Sequence, residues 1–98
     1  MDSKLRDIFT ITEVRIRLAD EPRGGLIGWA SCVLNGMFLL DSIAVFRGES
    51  GEFLLSFPKK SSQHGTEYHF FKPITRSAYQ QLLEAIVKRL DLTRKDLR

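Results

Sequence analysis

The sequence predicts an α+β fold: an antiparallel sheet of about five strands followed by one C-terminal helix. Three observations lead there. Apolar and polar residues alternate from Ile11 to Leu18, an Asn35-Gly36 dipeptide stands between apolar runs, and an apolar residue recurs at every fourth position from Ala78 to Leu90. A chain of 98 residues has room for one domain with one modest core. The charged residues 1–8 read as a flexible lead-in and residues 9–98 as that single domain.

The elements follow in order. Ile11, Glu13, Arg15 and Arg17 share one parity and Thr12, Val14, Ile16 and Leu18 the other, the pattern of a half-buried strand. Asp20-Glu21-Pro22-Arg23-Gly24-Gly25 reads as a loop, and a second strand runs from Leu26 to Leu34. Asn35-Gly36 then suits a type I′ turn, in which both central residues need positive φ. In the next strand, Met37 to Phe46, strict alternation puts Met37, Leu39, Ile43 and Val45 on one face and Phe38, Leu40, Ala44 and Phe46 on the other. Both faces are apolar and both need cover. Arg47 to Gly51 makes a turn, Phe53 to Phe57 a fourth strand, Pro58 to Gly65 a longer polar loop, and Glu67 to Phe71 a fifth strand.

After Pro73, the Thr75 hydroxyl can cap a helix reaching Leu90 or Asp91, and Leu92 to Arg98 can extend it, start a short second helix or fray. Its apolar stripe is Ala78, Leu82, Ile86 and Leu90, flanked by Tyr79, Leu83 and Val87. One helix covers one face of a sheet. The uncovered face and the doubly apolar third strand therefore predict a homodimer joined through sheet faces or edge strands, the alternative being a curled sheet that closes on itself.

Composition narrows the function. Fifteen Lys and Arg against twelve Asp and Glu give a net charge of +3. Residues 72–98 alone carry seven basic and three acidic side chains, so the positive field belongs to the C-terminal segment. A single cysteine forms no internal disulfide, Met1-Asp2-Ser3-Lys4 opens without an apolar signal core, and no apolar run matches a membrane span. The expectation is a cytoplasmic protein with no membrane association.

Catalysis finds little support. His64, His69 and Cys32 lack the spacing of a metal site, and Cys32 lies mid-strand beside Trp29, Ala30 and Val33 as a buried hydrophobe would. Gly24-Gly25 precedes a strand, not the helix that a phosphate cradle uses. Arg47-Gly48 with Phe53 and Phe57 echoes the aromatic platform of an RRM, but Glu49 and Gly51 stand where that motif wants aromatics, which assigns the two Phe to the core. No catalytic residue, metal or cofactor is expected, and the chain reads as a non-enzyme.

Basic residues give the stronger signal. Lys59 and Lys60 open the polar loop, Arg76 sits in the first helical turn, and Lys88, Arg89, Arg94 and Lys95 crowd the end of the chain. Cations so placed engage phosphates without reading sequence. Lys88 and Arg89 would also suit the negative end of the helix dipole whatever the function.

The order of short motifs resembles the SpoVG family of sporulation and septation regulators. The resemblance is carried by Ile11-Thr12-Glu13-Val14-Arg15-Ile16-Arg17, Ala30-Ser31, Leu40-Asp41-Ser42-Ile43, Gly48-Glu49-Ser50-Gly51-Glu52-Phe53, Phe57-Pro58-Lys59-Lys60, Gly65 and Lys72-Pro73-Ile74. It implies a sheet with a C-terminal helix, a dimer, and a non-catalytic regulator that binds DNA or RNA in sporulation, septation or related gene control. It also implies roles for Lys60, at the basic position after Pro58, and for Arg15 and Arg17 in the first strand. The chain departs from the family in having Ser61 after the loop lysine, Gly25 and Ile27 after the first loop, Ala44 in a strand, and a basic end in place of an acidic tail. The nucleic-acid-binding set expected is thus Lys59, Lys60, Arg76, Lys88, Arg89, Arg94, Lys95, Arg15 and Arg17. The alternative is a non-catalytic interaction module that regulates through a protein partner.

Overall fold

The computed structural model describes residues 9–21 and 23–96, with side chains described through residue 93 apart from residue 22; the expected lead-in at 1–8 lies outside them. The elements are β1 (Ile11–Leu18), β2 (Leu26–Leu34), β3 (Phe38–Arg47), β4 (Phe53–Ser56), β5 (Lys59–Ser61), β6 (Glu67–His69) and α1 (Arg76–Asp96). The first four form an antiparallel sheet in the order β1-β2-β3-β4, while β5 and β6 pair separately as a two-stranded arm. The α+β architecture is as expected. The fifth strand, however, does not extend the main sheet.

The turn after β2 has the expected handedness, with Asn35 at φ 54° and Gly36 at φ 67°. The Asn35 side chain also accepts a hydrogen bond from the Thr10 amide at 2.9 Å, tying the turn to the start of β1. Thr75 caps α1, its hydroxyl accepting from the Ala78 amide at 3.0 Å. The helix runs 21 residues, so the residues after Asp91 extend it, one of the outcomes the sequence allows. Within that last stretch the Thr93 hydroxyl donates to the Arg89 carbonyl at 3.0 Å, an i−4 side-chain bond that shares the carbonyl with the helix ladder.

Three register slips shape the sheet, one of them at Leu26 and Gly28 near the start of β2 and the other two further along the ladders. The β1–β2 register slips between Thr12 and Arg15, where Glu13 has φ 50°, and the β2–β3 register slips between Ala30 and Cys32, where Ser42 on β3 has φ 63°. Each slip inserts one extra residue and reverses the parity beyond it. Ile11 therefore joins Val14 and Ile16 against the core instead of sharing a face with Arg15 and Arg17. Leu40 likewise joins Ile43 and Val45, which corrects the split of the third strand that simple alternation gives.

The core lies between α1 and one face of the sheet. Ala30, Cys32, Ile43, Val45, Leu55 and Phe57 meet Leu82 and Ile86 there, with Tyr79 and Leu83 at the margin. Phe57 sits edge-on to Phe71 and to Tyr79, with ring centroids 5.9 and 6.4 Å away. The outward amide of Leu55, on the edge strand β4, donates to the Tyr79 hydroxyl at 2.9 Å, so the helix satisfies an edge donor that could otherwise recruit another strand. Phe53 and Phe57 belong to or pack on this core, in line with the reading of them as core residues.

The expected polar loop after Pro58 is largely a hairpin. Lys59 faces His69, Lys60 faces Tyr68, and Ser61 faces Glu67 across the arm. The turn is closed by the Ser62 amide donating to the Thr66 carbonyl at 2.7 Å and by the Ser62 hydroxyl accepting from the His64 and Thr66 amides. Every residue of β5 and β6 is exposed.

Candidate nucleic-acid interface

The expected cations fall into separate groups. Lys59 and Lys60 stand on the exposed arm, where the Lys59 ammonium lies 3.1 Å from the Glu67 carboxylate and both partners are about half exposed. Such a pair is worth little to stability, but it offsets the charge of Lys59 and leaves Lys60 as the stronger cation of the arm.

Arg76 is exposed at the start of α1, while Lys88 and Arg89 are exposed twelve and thirteen residues further along. At about 1.5 Å per residue the two ends are ~20 Å apart, so they do not form one patch. Lys88 lines a groove that also holds Glu52, Glu84 and Asp91, and Arg89 lines one that holds Glu13. Their field is therefore partly offset by neighbouring acids. Arg94 and Lys95 lie in the last turns of the helix, with side chains outside the described set.

Arg15 and Arg17 occupy the sheet face away from the core. Arg15 pairs across the ladder with Ser31 and Arg17 with Trp29, and both arginines are exposed. The Arg17 guanidinium carbon lies 4.5 Å from the Trp29 ring centroid, a cation–π stack. Gly28 lets β1 approach closely here, since a Cβ at that position would collide with the Arg17 carbonyl oxygen. Beside the stack is an open pocket of about 190 Å³ lined by Arg15, Arg17, Trp29, Ser31, Asp41 and Ser42, among others.

Trp29, Ser31, Asp41 and Ser42 are not among the expected site residues, although Ser31, Asp41 and Ser42 stand in the motifs that carry the family resemblance. The available signal was the hairpin register, which sets Trp29 beside Arg17. The bulge that brings Asp41 and Ser42 to the same place has no glycine or proline to mark it.

Cys32 is fully buried, and burial pushes its thiol above the ordinary value. It is therefore an inert core residue. Among the described residues no three His, Cys, Asp or Glu side chains gather as a metal site would require, and no helix is long and apolar enough to cross a membrane.

Comparison with known proteins agrees with the order of motifs. A relative from Archaeoglobus fulgidus named "Putative septation protein SpoVG" is 30% identical over 78 residues, spanning 80% of this chain and 89% of the relative. The sequence model of the SpoVG family matches residues 9–91, from the residue before Thr10 and β1 to the penultimate turns of α1. The chain belongs to the SpoVG family.

Proposed function

We propose that this protein is a non-catalytic regulator that binds nucleic acid as a homodimer, in septation, sporulation or related gene control. The β5–β6 arm carries the reading. It is a separate, fully exposed two-stranded ribbon that presents Lys60 and the offset Lys59 away from the core. Exposed Arg15, Arg17, Arg76, Lys88 and Arg89 add cations on other sides of a chain whose net charge is +3. A duplex held this way is gripped by its phosphates, with affinity that depends strongly on salt. The test is charge reversal of the arm. A Lys59→Glu/Lys60→Glu double variant is expected to lose duplex affinity by more than tenfold, and unchanged affinity removes the arm from the interface.

The homodimer is supported by the tip of the β2–β3 hairpin, where Met37, Phe38 and Leu39 are 73%, 60% and 68% exposed. Among the described residues no strand pairs with β3 between Phe38 and Ile43 on its β4 side. Apolar side chains beside a free strand edge favour association. Light scattering is expected to give twice the chain mass for the native protein and the single mass for Phe38→Glu/Leu39→Lys. The same residues also favour the second reading, a module that docks on a protein partner. In that case the variant would leave the mass and nucleic-acid affinity unchanged and abolish regulation.

A further inference from the structure

We infer that the open-face pocket beside Trp29 is a subsite for one unpaired nucleotide of a single-stranded nucleic acid, its base stacked on the outer face of the Arg17 guanidinium. This rests on the nucleic-acid reading above and specifies what one surface recognises.

One backbone irregularity, at Ser42, lines the pocket, and a second, at Glu13, lies just outside it. Glu13 on β1 and Ser42 on β3 both hold positive φ, at 50° and 63°, and their bulges bracket Ser31 and Cys32 of the strand between. Non-glycine residues in that region are strained, and such strain persists where surrounding structure enforces it, commonly at ligand sites. Here it breaks the flat sheet surface and brings Asp41 and Ser42 alongside Arg15, Ser31 and Trp29.

The chemistry of the lining selects the ligand. The indole of Trp29 is covered on one side by the Arg17 guanidinium at 4.5 Å, which orders a planar cation while Arg17 stays exposed to solvent. Nucleobases stack on guanidinium planes as they do on aromatic rings. Arg15, two residues along the same strand face, is placed for the adjoining phosphate, and the Ser31 and Ser42 hydroxyls supply neutral donors. Asp41, one of whose oxygens accepts from the Ser42 amide at 2.7 Å, adds the acceptor that a base amino group needs.

A volume of about 190 Å³ is below the ~300–1,000 Å³ of pockets that hold whole cofactors, so the site takes one planar group. A base paired inside a duplex cannot enter it. The arm and helix cations supply most of the contacts for duplex phosphates, to which Arg15 and Arg17 add charge alone.

Trp29 is the single tryptophan, so its fluorescence reports on this pocket alone. The experiment titrates the full chain and its Arg17→Lys variant, which keeps the charge and loses the planar stack, with a short fluorescein-labelled oligonucleotide. The oligonucleotide is made as DNA and as RNA, each single-stranded and annealed to its complement, and anisotropy measures affinity. An unlabelled copy is used for Trp29 emission. Single strands are expected to quench Trp29, and Arg17→Lys, which keeps the charge that Arg17 offers a duplex phosphate, is expected to lose about tenfold in single-strand affinity, well beyond any loss of duplex affinity. Whichever of DNA or RNA gives the larger effect is the strand the pocket takes. Binding by anisotropy with unquenched Trp29, or with single-strand affinity unchanged in Arg17→Lys, overturns the subsite and leaves the nucleic-acid reading standing. Absence of binding to every strand overturns both.

Discussion

The Arg17 guanidinium lies over the indole of Trp29, 4.5 Å from the ring centroid, on the sheet face that α1 does not cover. The pair is set by register, since Arg17 and Trp29 are direct partners across β1 and β2. Gly28 precedes Trp29 and pairs with Leu18, and its missing side chain permits the close approach of β1.

Gly28→Ala should therefore destabilise the fold and loosen the stack together. The added methyl meets the Arg17 carbonyl oxygen, a backbone atom that can move only with its strand. A loss of about 1–3 kcal/mol is expected, the usual cost of forcing extra volume into a packed site. Chemical denaturation measures it. A shift in Trp29 emission in the native baseline would report the disturbed stack.

On the arm, the Lys59–Glu67 pair makes opposite predictions for two variants. Glu67→Gln frees Lys59 and should raise duplex affinity a few-fold at low salt. Lys60→Glu should lower it and reduce the slope of log affinity against log salt by about one. Equilibrium titrations at several salt concentrations check both.

Tyr79 links helix and edge strand through its hydroxyl. Tyr79→Phe keeps the ring against Phe57 and leaves the partly buried Leu55 amide without this acceptor. The expected cost is about 1–3 kcal/mol. For a domain of this size each kcal/mol corresponds to roughly 4–8 °C in Tm, so a thermal melt resolves it.

The buried Cys32 thiol makes stability depend on alkaline pH. Burial raises its pKa in the folded chain, so the fold holds the thiol proton more tightly than the unfolded chain does. This contribution is complete below the unfolded thiol's value of about 8.5 and is lost as pH rises through the folded value. Denaturation midpoints should fall as pH rises above about 8.5, and less so in Cys32→Ala. Labelling by a thiol reagent at neutral pH should occur only as the protein unfolds.

Local chemistry made several elements legible in the sequence. The Asn35-Gly36 turn was readable because positive φ at two successive positions has few residue solutions, and α1 because Thr75 and the stripe from Ala78 to Leu90 agree on one cap and one face. The arm was hidden because Lys59-Lys60-Ser61 forms an exposed ribbon, where no apolar alternation marks a strand. The end of the helix was left open between extension, a second helix and fraying, and it extends where no glycine or proline follows Asp91.

The candidate site was less legible for a related reason. Its shape depends on the bulge at Ser42, which, like the one at Glu13, falls on a residue type that gives no warning of positive φ. Those slips place Ile11 and Leu40 in the core and gather Asp41 and Ser42 beside Trp29. The cations were visible one by one. Their division among the arm, the open sheet face and two ends of α1 follows from the three-dimensional arrangement and not from their spacing in the chain.

The most direct test of nucleic-acid binding is fluorescence anisotropy of a labelled DNA duplex titrated with the full chain at 50 and 200 mM salt. Affinity in the micromolar range or tighter at the lower salt, falling by tenfold or more at the higher, is the predicted result for contacts through two or more phosphates. Absence of binding at the lower salt, or binding that ignores salt, would contradict the account.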